Sequence, residues 1–307
     1  LRAEGEAERA PTPPFPAARS WLDAVVASPL VGNPADAERP FTFQARADDS
    51  GAGLLMSRRM WRDQARLAEA LETLVQTPPK LAIDPGFVDG TISKLFGEEA
   101  DGEQAQAVRA AARSSVIVVT GGPGTGKTYS IKRLLALLLE AHGVDKRPLR
   151  IELAAPTGKA AVRMTEAMAE ELEKLNADEA IKERLARLPA RTLHKMLRVR
   201  PDGSCGVHAG SPLVADVVVV DEASMVDLTM MRRLFEAVIP GTRLILLGDR
   251  DQLASVEAGT VLADVVGGAS TGMRGPLESA VIRFNRQRRF EDAPTIAELA
   301  ETIQRRE

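Results

Sequence analysis

Two glycines, a lysine and a threonine carry the most specific chemistry in this chain. Gly121, Gly126, Lys127 and Thr128 meet the spacing G-x-x-x-x-G-K-[ST] within Gly121-Gly122-Pro123-Gly124-Thr125-Gly126-Lys127-Thr128. Glycines let a backbone approach a polyphosphate without Cβ clashes, so the amides of Gly124, Thr125, Gly126 and Lys127 can converge on its oxygens. Lys127 is then expected at the β- and γ-phosphates, and the Thr128 hydroxyl on Mg2+. ATP with Mg2+ is the expected cofactor pair. A glycine turn with a solvated lysine is the bland alternative, and the apolar run before it and the leucine-rich run after it count against that.

The second chemical pair is Asp221-Glu222, directly behind four valines. Asp221 is placed to hold Mg2+ opposite Thr128, and Glu222 to orient and deprotonate the attacking water. Gln252, beyond another apolar run, can report on the γ-phosphate, and Gln104 can offer its amide to an adenine edge. Each glutamine alone is an ordinary polar residue. Thr157-Gly158-Lys159 marks the end of a strand and the start of a helix, where open α/β sheets bind ligands, although a capping threonine beside a surface lysine explains it equally well. A basic stretch, Arg283 to Arg289, offers either an arginine aimed at the phosphates or a solvated turn.

These residues require a parallel sheet to hold them. Ser115 to Thr120, Arg150 to Pro156, Ala215 to Val220 and Arg243 to Leu247 read as strands, each apolar and rich in β-branched residues. Between them, Ile131, Leu134, Leu135 and Leu138 form one helical face, and Ala161, Met164, Met168, Leu172 and Leu175 another. The expected fold class is α/β, a RecA-like phosphate-loop lobe with a parallel sheet, preceded by a small, mainly helical N-terminal domain. In that domain, Leu1 to Pro16 reads as an extended arm and Phe41 to Met56 as a hairpin. Ser57 to Gln76 reads as an amphipathic helix with Met60, Leu67, Leu71 and Leu74 on one face. Arg58, Arg62, Arg66 and Trp61 on that helix suit DNA, but the plainer reading is an amphipathic helix with one aromatic anchor. A further helix is expected over Phe87 to Phe96 and another over Asp101 to Ala112.

Composition narrows the classes. With 307 residues and 44% hydrophobic content the chain can bury a sizeable core, and a net charge of −3 argues against a uniformly basic nucleic-acid coat. One cysteine, Cys205, excludes an internal disulfide framework, and three histidines without a ligand-type spacing make a zinc site unexpected. No apolar run reaches the about 18 residues a membrane span needs, so no membrane partner and a cytoplasmic address are expected. The chain opens on Leu1, which suggests a longer gene product.

The motif set as a whole resembles the superfamily-one DNA helicases of the RecD family, the α subunit of exodeoxyribonuclease V. The resemblance rests on Thr120 to Thr128, Ala154-Ala-Pro-Thr-Gly-Lys-Ala-Ala161, Thr192-Leu-His194, Val218-Val-Val-Asp-Glu-Ala-Ser-Met-Val-Asp227 and Leu246 to Gly259, in order throughout Gln104 to Val265. It implies an adenine-side glutamine at Gln104, DNA contacts at Pro156, Thr157, Lys159, Thr192 and His194, a γ-phosphate sensor at Gln252 and a phosphate-facing arginine at Arg289. It also implies 5′ to 3′ movement on single-stranded DNA, RecB-like and RecC-like partner subunits, and recombinational double-strand-break repair. The domains expected from it are residues 1–98 as an accessory, partner-docking domain, 99–280 as the first motor lobe with the ATP site, and 281–307 as the beginning of a second lobe. Two later family motifs, a Gln-Gly pair and an arginine of the second lobe, are absent from the sequence. A different phosphate-loop switch or small-molecule kinase, or a non-catalytic assembly module, are the competing functions.

Overall fold

A computed structural model describes residues 17–36, 38–45, 53–122, 124–143, 147–249, 261–268 and 280–284. Pro123, Gln252 and Arg289 lie outside the described residues, as do the N-terminal arm and the turn of the expected hairpin. The chain forms two compact units, Leu1–Asp63 and Gln64–Glu307.

The first unit carries α1 (Ala18–Ala27), β1 (Val31–Gly32), β2 (Phe41–Ala45), β3 (Gly53–Ser57) and the opening of α2 (Arg58–Gln76). Strands β2 and β3 form the expected antiparallel pair, with Phe41 opposite Ser57, and β1 adds to β2 in parallel. Arg58 settles one open question: its guanidinium donates to the carbonyls of Asn33, Pro34 and Arg39 and lies 5.4 Å from the Trp61 ring centroid. It ties this small sheet together and is buried, so it is no surface for DNA.

The second unit continues with α3 (Pro85–Phe96), α4 (Glu103–Arg113), β4 (Val116–Gly121), α5 (Lys127–His142), β5 (Ile151–Ala155), α6 (Gly158–Ala169), α7 (Glu179–Ala186), β6 (Ala190–Thr192) and α8 (Leu193–Met196). Then come β7 (Val217–Val220), α9 (Leu228–Ala237), β8 (Arg243–Gly248), α10 (Val261–Gly268) and β9 (Val281–Phe284). Six strands in the order β6-β5-β7-β8-β4-β9, all parallel, make one sheet. Alternate residues face opposite layers, as the two-residue period of a strand requires. Ile117, Val119, Val217, Val219, Ile245 and Leu247 pack with α3, α4 and α5, whereas Val116, Val118, Val218, Val220, Leu244 and Leu246 pack with α9 and the second half of α2. The result is a three-layer lobe whose central strands are apolar on both faces.

Leu67, Leu71 and Leu74 of α2, and Val88, Ile92, Leu95 and Phe96 of α3, are buried on the two faces of the six-stranded sheet. Val118 to Gly121 pair with Val281 to Phe284 at one edge of it. Helix α6 stops sooner than its apolar spacing suggests. Glu171 takes a left-handed φ of 53°, which no helix continues through, and Leu172 and Leu175 pack from the turn beyond.

Candidate active site

All of the candidate residues within the described chain sit on the carboxyl rim of this sheet. Strand β4 ends at Gly121, and the loop after it delivers Lys127 to the first turn of α5. Gly126 makes that entry with φ +90°, a left-handed conformation that side-chain-bearing residues avoid. The loop is tied internally: Thr125, 1% exposed, donates its hydroxyl to the Gly122 carbonyl at 2.9 Å, and Lys127 Nζ donates to the Gly121 and Gly122 carbonyls at 2.5 and 3.0 Å. The lysine charge is thus held over the mouth of the loop. Thr128 is half-buried one residue into the helix.

Gln104 has a different position from the one its sequence offers. It is 3% exposed, and its amide nitrogen donates to the Thr125 carbonyl at 3.1 Å. The side chain is turned onto the loop itself.

Strand β7 brings Asp221 and Glu222 to the same rim, with β8 inserted between it and β4. Two strand spacings separate the β7 and β4 axes by about 10 Å. The Asp221 amide donates to the Ala154 carbonyl on β5, and Asp221 Oδ1 accepts from the Glu222 amide at 2.9 Å. To present that amide, Glu222 adopts φ 51°, a conformation costly for a long side chain and characteristic of functional strand ends. Burial pushes the Asp221 carboxyl above the ordinary range, while the Glu222 amide and the Lys127 charge pull it back. Burial likewise raises Glu222, the Asp221 charge adds to it, and Lys127 opposes both; Asp249 pushes it further up and Arg163 pulls it down.

Asp249 is the residue that sequence reasoning passed over. It follows β8 directly, is 9% exposed, and its charge acts on Glu222 beside that of Asp221. Its signal was present, a carboxylate behind Leu246-Leu247-Gly248 at the end of an apolar strand.

The donor set suits Mg2+. Asp221 accepts the Glu222 amide on one carboxylate oxygen and Thr128 carries a hydroxyl, both hard oxygen donors of the kind Mg2+ takes. Among the described residues no group of three His, Cys, Asp or Glu side chains cages a metal by itself.

Further along the rim, β5 and β6 carry the residues expected at DNA. Ala155 is paired with Thr192, which brings the two strand ends side by side. Thr157 Oγ1 accepts from the Ala160 amide and Thr192 Oγ1 from the Lys195 amide, each at 3.2 Å, so both threonines cap helices. Thr157, Lys159 and His194 are exposed, while Pro156 and Thr192 are half-buried. The rim therefore has two neighbouring parts, joined where Asp221 bonds to β5.

Known proteins match this chain along most of its length. The profile described as AAA domain matches residues 104–258. Over 281 residues the chain is 44% identical to the RecBCD enzyme subunit RecD of Mycolicibacterium smegmatis, covering 91% of this chain and 47% of that protein. Over 229 residues it is 34% identical to the ATP-dependent RecD2 DNA helicase of Deinococcus radiodurans, covering 75% of this chain and 28% of that one. The solved structure of a Pif1 helicase from Bacteroides in complex with ADP-AlF3 and ssDNA is 19% identical, with a TM-score of 0.38, over 66% of this chain and 46% of that chain. The chain spans about half the length of the RecD relatives it matches. No helix among the described residues is long and apolar enough to cross a membrane. With the profile lying over residues 104–258 and the RecD likeness extending over most of the sequence, the chain belongs to the AAA-domain family and is RecD-like within it.

Proposed function

We propose that this chain contains the first motor lobe of a RecD-like, ATP-driven DNA helicase subunit that moves 5′ to 3′ on single-stranded DNA. The observation that carries the proposal is the meeting of Lys127, Asp221 and Glu222 on one rim, with one strand between the phosphate loop and the carboxylates. In this reading Lys127 exchanges the Gly121 and Gly122 carbonyls for the β- and γ-phosphate oxygens of ATP. Thr128 and Asp221 hold Mg2+, which when bound neutralises charge on the phosphates. Glu222 orients a water and accepts its proton on the carboxylate, a role that its raised pKa favours. Gln252 and Arg289 are proposed as the γ-phosphate sensor and an arginine donor.

Single-stranded DNA is proposed to run along Pro156, Thr157, Lys159, Thr192 and His194, adjoining the nucleotide. Docking to RecB-like and RecC-like subunits is proposed for the accessory domain, residues 1–98, where Trp21, Leu30 and Leu54 are 51%, 55% and 52% exposed. The cellular role proposed with those partners is double-strand-break repair by recombination in the cytoplasm. A second lobe, closing on the same ATP, is proposed to supply further arginine donors.

The deciding experiment is steady-state ATP hydrolysis with and without single-stranded DNA, for this chain and for a version carrying a second lobe. Hydrolysis stimulated by DNA supports the motor. Hydrolysis indifferent to DNA, or absent in both versions, turns the assignment to a nucleotide switch or an assembly module.

A further inference from the structure

We propose that Lys132 is a positioning residue that ties the helix of the phosphate loop to the helix of the expected DNA track and carries the state of one to the other. The inference rests on the function proposed above and deepens it. Helix α5 begins at Lys127 and Thr128, and α6 begins behind its cap Thr157, beside Lys159. The last carbonyls of a helix have no partner within it. Glu170, the residue that ends α6, has its carbonyl taken by Lys132 Nζ at 2.6 Å. On the next residue of α5, Arg133 Nε donates at 3.0 Å to the carbonyl of Leu95 in the last turn of α3. Two consecutive cations, 9% and 8% exposed, thus hold the ends of two different helices. The Arg133 guanidinium also lies 3.4 Å from the Tyr129 ring centroid, so its hold stays between α3 and the first turn of α5.

The junction at Glu170 costs free energy twice. Burial pulls the Lys132 ammonium below the ordinary lysine value, although the Glu171 and Glu170 charges push it back. An apolar side chain of similar length would fill the place without that cost. The next residue, Glu171, takes the left-handed φ of 53° that turns the chain. What the lysine adds is a directed link. Helices move as rigid elements, so a shift of α6 when a phosphate engages its Lys159 end passes through this bond to α5 and to the phosphate loop at its head.

The test is the affinity of a single-stranded oligothymidylate with and without saturating Mg-AMP-PNP, a non-hydrolysable ATP analogue, for this chain and for a version carrying a second lobe. It is made on the wild type, Lys132→Met, Lys132→Arg and Arg133→Met. The methionine keeps the volume at Lys132 without a donor. Lys132→Gln, whose amide stops a bond short of the carbonyl, replaces it if that variant does not fold. In the wild type the nucleotide is expected to change DNA affinity at least about 5-fold. Lys132→Met is expected to bind each ligand alone within about 2-fold of the wild type, yet to reduce that coupling below about 2-fold. Lys132→Arg, which keeps a donor, and Arg133→Met, which frees α3 instead, are expected to retain the coupling. Equal loss in Lys132→Met and Arg133→Met would show a general loosening of α5 and overturn the proposal. Full coupling in Lys132→Met, or none in the wild type of both forms, overturns it as well. Failure of the wild type to bind Mg-AMP-PNP or the oligonucleotide would instead sink the reading of the sites themselves.

Discussion

Phe284, the last residue of β9, lies so close to Gly121 that a Cβ on the glycine would sit 2.9 Å from the Phe284 carbonyl oxygen and 3.0 Å from its Cβ. The same atom would be 2.9 Å from the Thr125 hydroxyl, which braces the loop. Gly121 is therefore the joint between the edge strand and the phosphate loop, with no room for a side chain on either side. Gly121→Ala is expected to destabilise the fold by about 1–3 kcal/mol, as overpacking generally does, and to weaken Mg-ATP binding, because the backbone must move to admit the methyl group. Thermal melting with and without Mg-ATP checks both. A variant that melts like the wild type and binds equally well would mean that the strand and the loop yield without cost.

Lys127 spends its charge on two loop carbonyls and on the neighbouring carboxylates. Lys127→Ala is expected to abolish ATP hydrolysis and to weaken nucleotide binding, since no other lysine follows the loop at this position. Turnover at the wild-type rate in this variant would remove the main support for the site.

Glu222 and Asp221 are adjacent yet have different expected roles, so single variants should separate them. Glu222→Gln is expected to retain Mg-ATP and to hydrolyse it at least ~100-fold more slowly, because the amide cannot take a proton from water. Binding and turnover measured on the same preparation decide it. If both fall together, Glu222 acts on the cation rather than on the water.

Much of the α/β lobe was legible in the sequence because its signals are local. The strand, glycine turn and helix around Lys127, and the valine run before Asp221, carry their meaning within a dozen residues. Less visible was what depends on pairing across the chain. Strand β6 is three residues beside β5, and β9 is an edge strand joined to β4, so neither has a long apolar run of its own. Helix α9 was missed although it announces itself: Asp227 accepts from the Met230 amide as its cap, and Met230, Met231, Leu234 and Phe235 are buried at helical spacing. The place of Gln104 was not readable at all. Its partner is a backbone carbonyl in a separate element, and only the fold brings the two together.

At the opposite end of β7, Asp216 accepts both arms of Arg147 at 2.6 and 2.7 Å and the Arg150 amide at 2.8 Å. These bonds, the Arg147 side chain foremost, outweigh burial and hold the Asp216 carboxyl at about 2, against an ordinary 3.8. A carboxyl depressed in the folded state adds stability above its unfolded pKa and loses it as the pH falls through the folded one. The contribution is about 1–2 kcal/mol after allowing for the exposed guanidinium. Asp216→Asn is therefore expected to melt lower than the wild type at pH 7, with the gap closing between pH 4 and pH 2. A gap independent of pH over that window would show that the pair has no electrostatic part in stability.

The DNA path makes the last prediction, and Lys159 is the residue to test it with. Thr157 and Thr192 cap helices, so their removal costs stability of about 1 kcal/mol each whether or not DNA is present. Lys159 is exposed, and the cap of its helix is Thr157, so no cap is lost with it. If it meets a phosphate, Lys159→Ala should weaken single-stranded DNA binding equally for all sequences and lower the slope of log affinity against log salt by about 0.7, one contact's worth of released counterion on a single strand. Binding titrations at three or more salt concentrations, on oligonucleotides of unrelated sequence, measure both quantities. Unchanged slope and affinity in this variant, with losses instead in Arg59→Ala or Arg62→Ala on α2, would move the DNA from the β5–β6 end of the rim to that helix.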